Sequence, residues 1–363
     1  MALVDRYPIV RWGVPVAAAA TVFAAVAAPQ AFADPALPER SAQQLLVDLQ
    51  NPTDTSFSGT VETRTDLGLP ALPVGANDGY AALLNGTNTL RVWQDGKERS
   101  KVSLIASGAE TTTVRNGAEV WQWSSKDKKA VHATHQPRPQ RETPAEAPKT
   151  PDEAAQRVLA QLDPSTEVSV GRTSRVAGRS AYELVLDPKS QQTLVGKVTI
   201  AVDSQTHNPL RVEVWPSGKA APAIRVGFTQ IDFADPAAST FRFSPPAGAE
   251  VVEKSAADKK DEPKGERPAR PQPKSVGEGW ERVTVTAMPK LPANTDPSVQ
   301  RRAQHSGKAA DWQQLVQSLP TVSGSWGSGK VLNTALVTVV VTEDGRVAAG
   351  SVPTDRVVAA LAG

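Results

Sequence analysis

The 363-residue chain contains no cysteine. That one absence excludes disulfide scaffolds, thiolate zinc sites, iron–sulfur clusters and cysteine nucleophiles together, because each is built on a thiol or thiolate. It also excludes a lipoprotein anchor, which requires a cysteine to acylate. Excess charge is missing too: 40 basic residues face 38 acidic ones, a formal net charge of +2. No global basic field exists to collect nucleic acid, and no acidic one to collect cations. Beyond the first 33 residues no apolar run approaches the roughly 20 residues of a membrane-spanning helix. The longest, Val331 to Val341, is interrupted by Asn333 and Thr334. Proline, by contrast, is plentiful at 30 residues, which disfavours long helical arrays. Hydrophobic residues make up 39% and charged residues 21%, enough to bury a core. The length predicts two domains at roughly 150 residues each.

The N-terminus reads as an address. Arg6 and Arg11 form a positive region, Trp12 to Ala28 is apolar and alanine-rich, and Ala31-Phe32-Ala33 supplies a small-x-small pattern before Asp34-Pro35. This predicts a signal peptide over 1–33, cleaved after Ala33, and a secreted or extracytoplasmic protein. The alternative is an uncleaved N-terminal membrane anchor.

Two proline-rich stretches follow. Residues 136–151 carry Pro137, Pro139, Pro144, Pro148 and Pro151 and read as a loop insertion. Residues 254–277 form a charged linker, with seven bases and four acids between Lys254 and Lys274. Such composition does not bury enough surface to order itself. Between 39 and 253 the dominant signal is period-two alternation, as in Phe57, Gly59, Val61 and Thr63, or Tyr182, Leu184 and Leu186. Turn signals at Asp95-Gly96, Asn116-Gly117, Val176-Ala177-Gly178 and Asp203 to Pro209 separate these runs. They predict ten or eleven antiparallel strands, the last at Phe241 to Phe243, interrupted by two helices. One helix spans Arg40 to Leu49 with Ser41 as its cap; the other spans Asp152 to Leu162 behind Pro151.

Residues 278–363 read as a small α+β accessory domain. A strand holds Val283 and Val285, a short helix runs from Asp311 to Leu319, and a strand covers Ala335 to Val341. A turn at Glu343-Asp344-Gly345 leads to a returning strand over Arg346 to Ser351, and a final helix over Thr354 to Leu361 is capped by Thr354.

Four segments in this order carry a family resemblance. They are Ser56-Phe57-Ser58-Gly59-Thr60-Val61, the hairpin Val114 to Trp123 around Asn116-Gly117, the late hairpin Val202 to Val214, and the ending Phe241-Arg242-Phe243-Ser244-Pro245-Pro246-Ala247-Gly248-Ala249-Glu250-Val251. The pattern resembles the LolA-like lipoprotein-carrier family over residues 39–253. That superfamily includes RseB-type regulators, which join such a domain to a smaller C-terminal one. The alanine- and proline-rich composition suits an actinobacterial member.

The resemblance implies an α+β fold: an incomplete antiparallel β-barrel covered by helices over an apolar cavity for acyl chains, followed by the small accessory domain. The cavity row would be Phe57, Val61, Val92, Leu104, Val114, Trp121, Trp123, Tyr182, Leu184, Val198, Ile200, Val212, Val226 and Phe228. The same residues also suit a closed, dry β core. About a dozen buried methylenes at ~0.8 kcal/mol each would supply roughly 10 kcal/mol gross for an acyl chain. In the family an Arg-Pro pair helps latch the lid. Here no such pair follows the second strand, and Arg99 is the nearest candidate. The apolar stretch Leu67 to Asn85 reads as a flap at the cavity mouth or as a plug of the barrel end.

Other signals carry less. His132 and His135 are three apart with no further ligand near in sequence, and His207 and His305 stand alone. The run Gly324 to Gly329 lacks the frame of a phosphate loop and of a G-x-S-x-G nucleophile, and reads as a turn into a strand. No nucleophile–base pair is evident, so the chain is expected not to be an enzyme and to need no cofactor or metal. The expected function is an extracytoplasmic carrier that shields lipid or lipoprotein acyl chains. The alternative is an RseB-like sensor that binds an anti-sigma factor or another envelope protein through residues 278–363. Nucleic acid is excluded as a partner, and peripheral membrane contact fits the linker's charge.

Overall fold

The computed structural model describes residues 37–51, 56–69, 79–106, 108–134, 147–254, 273–287 and 316–363. The signal segment, most of the 136–151 insertion and of the linker, residues 70–78 of the apolar loop, residues 311–315, His135 and His305 lie outside them.

The first body is one large sheet. Its strands are β1 (Phe57–Thr65), β2 (Gly86–Asp95), β3 (Arg99–Ala106), β4 (Ala109–Asn116), β5 (Glu119–Ser124), β6 (Lys129–Thr134), β7 (Thr166–Val170), β8 (Ser174–Val176), β9 (Arg179–Pro188), β10 (Val195–Asp203), β11 (Pro209–Pro216), β12 (Ile224–Asp232) and β13 (Glu250–Lys254). They run in the order β13-β6-β5-β4-β3-β2-β1-β12-β11-β10-β9-β7, with β8 also pairing β9, so the sheet is open and its two ends do not meet. All pairs are antiparallel except β13 on β6, which is parallel. This is the incomplete barrel that the resemblance implied, with thirteen strands where the alternation marked ten or eleven.

One face of the sheet is continuous and apolar. Val61 lies opposite Leu90 and Phe228, Val226 opposite Val212, Ile200 opposite Leu184, and Val92 opposite Val102. Two helices cover it. Helix α1 (Ala42–Gln50) starts at a capping box, in which Ser41 Oγ accepts from Gln44 N at 3.2 Å and Gln44 Oε1 accepts from Ser41 N at 2.9 Å. Its Leu45 and Leu49 are fully buried. Helix α2 (Pro151–Leu159) starts with Pro151, whose missing N–H costs nothing at that position, behind Thr150 as N-cap. It buries Ala154 and Ala155, small side chains that let it lie close on β11 and β12.

The described end of the apolar loop is a plug rather than an open flap. Residues Gly79–Leu84 form a 3-10 helix that buries Leu83, and Thr65 Oγ1 donates to Leu83 O at 2.8 Å. Tyr80 Oη meets Thr113 Oγ1 at 3.1 Å and donates to Val102 O at 3.1 Å.

Phe241 and Phe243 do not form a strand. Ala238–Phe241 is a 3-10 helix, and the chain runs unpaired through Pro245 and Pro246, which have no amide hydrogen for a ladder. Residues 238–254 form a strap that crosses the outer face of β3 and β4 with Phe241 buried, then ends as β13.

The second sheet has the order β14-β15-β19-β18-β17-β16. Its strands are β14 (Lys274–Val276), β15 (Val283–Ala287), β16 (Thr321–Gly324), β17 (Gly327–Asn333), β18 (Thr338–Thr342) and β19 (Arg346–Gly350), and helix α3 (Thr354–Ala362) packs on β15, β18 and β19. Of the expected Asp311–Leu319 helix, the described part is helical over residues 316–318. Strand β14 falls inside the stretch read as linker. The glycine run is the β16–β17 hairpin turn, as expected. The N-cap of α3 is Pro353, not Thr354; Thr354 Oγ1 donates instead to Asn333 Oδ1 at 2.9 Å. The expected strand at Ala335 begins only at Thr338. Residues 334–337 turn, with Thr334 Oγ1 accepting from Val337 N at 2.9 Å, and send Leu336 into the core of the first sheet.

The two sheets touch directly. Trp280 Nε1 donates to Thr166 Oγ1 at 2.9 Å, Leu194 N donates to Ser351 O at 2.7 Å, and Ala335 N donates to Leu67 O at 2.8 Å. Among the described residues no helix is long and apolar enough to cross a membrane.

Candidate functional site

The proposed cavity row divides between the two faces of the large sheet. Phe57, Val61, Val92, Leu104, Tyr182, Leu184, Val198, Ile200, Val212, Val226 and Phe228 belong to one cluster on the inner face, each at most 8% exposed. Helices α1 and α2 and the Gly79–Leu84 plug lie over them, so the row is a packed core in this state.

Val114, Trp121 and Trp123 sit on the outer face. The register decides it. Thr111 and Thr113 lie opposite Leu104 and Val102 and take the inner positions, while Val114 lies opposite Lys101 and Trp121, and Trp123 opposite Thr112. The outer positions are apolar there because the strap covers them. Trp121 stacks on His132 with centroids 4.2 Å apart, and Phe243 tilts against Trp121 at 5.3 Å and Trp123 at 6.5 Å. His132 Nδ1 lies 2.7 Å from Glu253 Oε2, which ties β13 to β6. Arg99 belongs to the same assembly: it pairs with Asp95 at 2.6 Å and stands 5.9 Å from the Phe241 ring, so its partners hold the strap rather than the lid helices. A small cavity of about 110 Å³ remains beneath Phe241, Arg242 and Phe243.

Two larger openings remain. One, about 550 Å³, lies between the sheets and is lined by Leu162, Asp163, Trp280, Arg282, Val337 and Ser351 among others. Hydrogen bonds from the Ser165 hydroxyl and amide hold the Asp163 carboxyl below the usual carboxylate range, aided by the Arg282 charge. Gly279 fits this junction because its φ is +52° and a Cβ there would lie 2.1 Å from Ser165 Oγ. The sequence offered no sign of this cleft, since it assembles from residues far apart in the chain. The other opening, about 370 Å³, is a trough on the outer face of β2, β1 and β12. Among the described residues no cluster of His, Asp and Glu suits a metal ion.

Residues 82–247 match the family described as MucB/RseB N-terminal domain. Over these residues the chain is similar to a MucB/RseB N-terminal domain. The match runs from the Gly79–Leu84 plug to the strap, and the resemblance to LolA-like proteins drawn from the strand motifs stands with it. Among solved structures, the MucA/MucB complex of Pseudomonas aeruginosa is similar at 17% identity, covering 88% of this chain and 95% of that one with a TM-score of 0.44. An uncharacterized conserved protein of Thermus thermophilus is similar at 16% identity, covering 59% of this chain and 99% of that one with a TM-score of 0.35. The LolA superfamily protein NE2245 of Nitrosomonas europaea is similar at 15% identity, covering 56% and 99% with a TM-score of 0.24. No curated protein matches the chain.

Proposed function

We propose that this protein is an RseB-like regulatory protein of the cell envelope, which holds a protein partner without covalent chemistry. The observation that carries this reading is the MucB/RseB N-terminal domain match over residues 82–247. The geometry supports it over an acyl-chain carrier. The inner face is filled by its own side chains, and an acyl chain could enter only after α1 and α2 lift. The cleft between the sheets is open, mixes apolar and polar groups, and at about 550 Å³ has room for several side chains of a bound segment. Its walls come from residues 160–163, which follow helix α2, and from residues 279–284, 337 and 349–351, so a segment lying there engages the MucB/RseB-type domain and residues 278–363 together.

A photo-crosslinking residue at Leu162 or Val337, introduced in cells, tests the reading. It should yield one discrete adduct with an envelope protein, and the same residue at Ile105, 70% exposed on β3, should not. Absence of an adduct from the cleft, together with stoichiometric acyl lipid in an organic extract of the purified protein, would overturn the regulator in favour of the carrier.

A further inference from the structure

The outer trough is built by the order of strands. On this face β2, β1 and β12 contribute two rungs, Trp93–Ser58–Asp232 and Arg91–Thr60–Gln230. The middle strand supplies only the small hydroxyl residues Ser58 and Thr60, and the flanking strands supply the longer Trp93, Arg91 and Gln230 together with Asp232. Strands lie about 4.8 Å apart, and residues two apart along a strand are separated by roughly 7 Å. The walls therefore stand about 10 Å apart over a low hydroxyl floor, which matches the opening of about 370 Å³. A register shift in the β1–β12 ladder at Thr60/Val61 falls here, and Thr229 Oγ1 donates to Thr60 O at 3.3 Å across it.

The side chains of the trough are free to serve a ligand. Among the described residues Ser58, Thr60, Arg91 and Gln230 make no side-chain hydrogen bond or ion pair, and Asp232 accepts only from Ala234 N at 3.0 Å. The Trp93 ring carries the Lys101 ammonium 5.2 Å from its centroid, and no other ring or cation among the described residues stacks on it. The site thus offers an aromatic ring, a planar guanidinium, a planar amide, a carboxylate and two hydroxyls, with Gly59, Ile231 and Ala177 of the β8–β9 turn completing the lining.

We infer that this trough binds a saccharide ring. A pyranose presents axial C–H groups to an aromatic face and a rim of hydroxyls that donate and accept at once. Carboxylate, amide and guanidinium planes satisfy such a rim in pairs, whereas an acyl chain would leave all of them unpaired. The width and length suit one ring, with a second extending along the strands. The site is on the face opposite the packed core and apart from the cleft between the sheets, so it stands whether or not the regulator reading does.

The test uses the full mature chain, with diacetylchitobiose and cellobiose as probes, read by saturation-transfer NMR and calorimetry. At least one disaccharide should bind, and Trp93→Ala and Gln230→Ala should each weaken it by about tenfold or more. Ser58→Leu, which fills the floor from the solvent side, should abolish binding while leaving the circular dichroism unchanged. No binding of either disaccharide in the millimolar range, or equal binding by folded Trp93→Ala and Ser58→Leu variants, would overturn the assignment.

Discussion

The Phe228 ring occupies the space where a side chain at position 59 would lie: a Cβ on Gly59 would sit 3.0 Å from two Phe228 ring carbons and 2.6 Å from Gln230 O. The glycine of the opening strand motif is therefore a packing requirement, which lets β12 close against β1. Gly59→Ala should destabilise the protein by about 1–3 kcal/mol through overpacking. A urea titration would show a lower midpoint at unchanged slope. An unaltered midpoint would mean that β12 shifts without cost.

Asp203 is buried at the head of the β10–β11 turn. Burial alone would raise its pKa. Hydrogen bonds from Arg179 and from the Thr206 and Gln205 amides outweigh that and hold the carboxyl below its ordinary value. The native state therefore favours the carboxylate, and this stability is present above pH ~4 and is lost as pH falls through the depressed native value. Arg179→Ala leaves the charge buried without its main partner and should cost about 3 kcal/mol at neutral pH. Its acid unfolding should begin at higher pH than in the parent, as followed by circular dichroism across an acid titration. Coincident acid limbs would disprove the coupling.

Leu336 belongs to a turn of the second sheet but is only 4% exposed and packs in the core of the first. Leu336→Ala should cost about 2–5 kcal/mol. Calorimetry should show the loss in the transition of the large sheet. Removing residues 278–363 should lower that transition as well, and a large sheet that melts unchanged after the truncation would show that the contact carries no stability.

Phe241 anchors the strap at 1% exposure, whereas four of the five residues of β13 are exposed. Phe241→Ala should cost about 3–5 kcal/mol, while Val251→Ala should stay within about 0.5 kcal/mol. Hydrogen exchange should show protection of residues 250–254 falling in the first variant and not in the second.

Much of the architecture was legible because it is local. Ser41 and Pro151 start their helices as read. Asp95-Gly96 and Asn116-Gly117 turn with glycines at φ of +62° and +60°, and Ala177-Gly178 turns with both residues at positive φ. Eleven of the fourteen cavity residues share the inner face, since alternation alone fixes which side a residue takes within one strand. The failures are non-local. Val114, Trp121 and Trp123 read as inward because an apolar row was equated with the core, and only the strap, more than a hundred residues later in the chain, explains their apolar outer positions. The trough was illegible for the same reason. Ser58, Thr60, Gln230 and Asp232 become neighbours only through the β1–β12 pairing, which no local pattern announces.

That pairing also decides when the protein can finish folding. Strands β1 to β6 follow one another around the sheet, and so do β9 to β12, so each half closes between sequence neighbours, through short turns except at the β1–β2 loop that carries the plug. The seam between the halves joins Thr60 to Thr229, 169 residues apart. Closing so long a loop is slow compared with forming hairpins. A nascent or translocating chain that has not yet delivered β12 therefore presents the full edge of β1 to any other extended strand, a hazard that ends only when the seam zips.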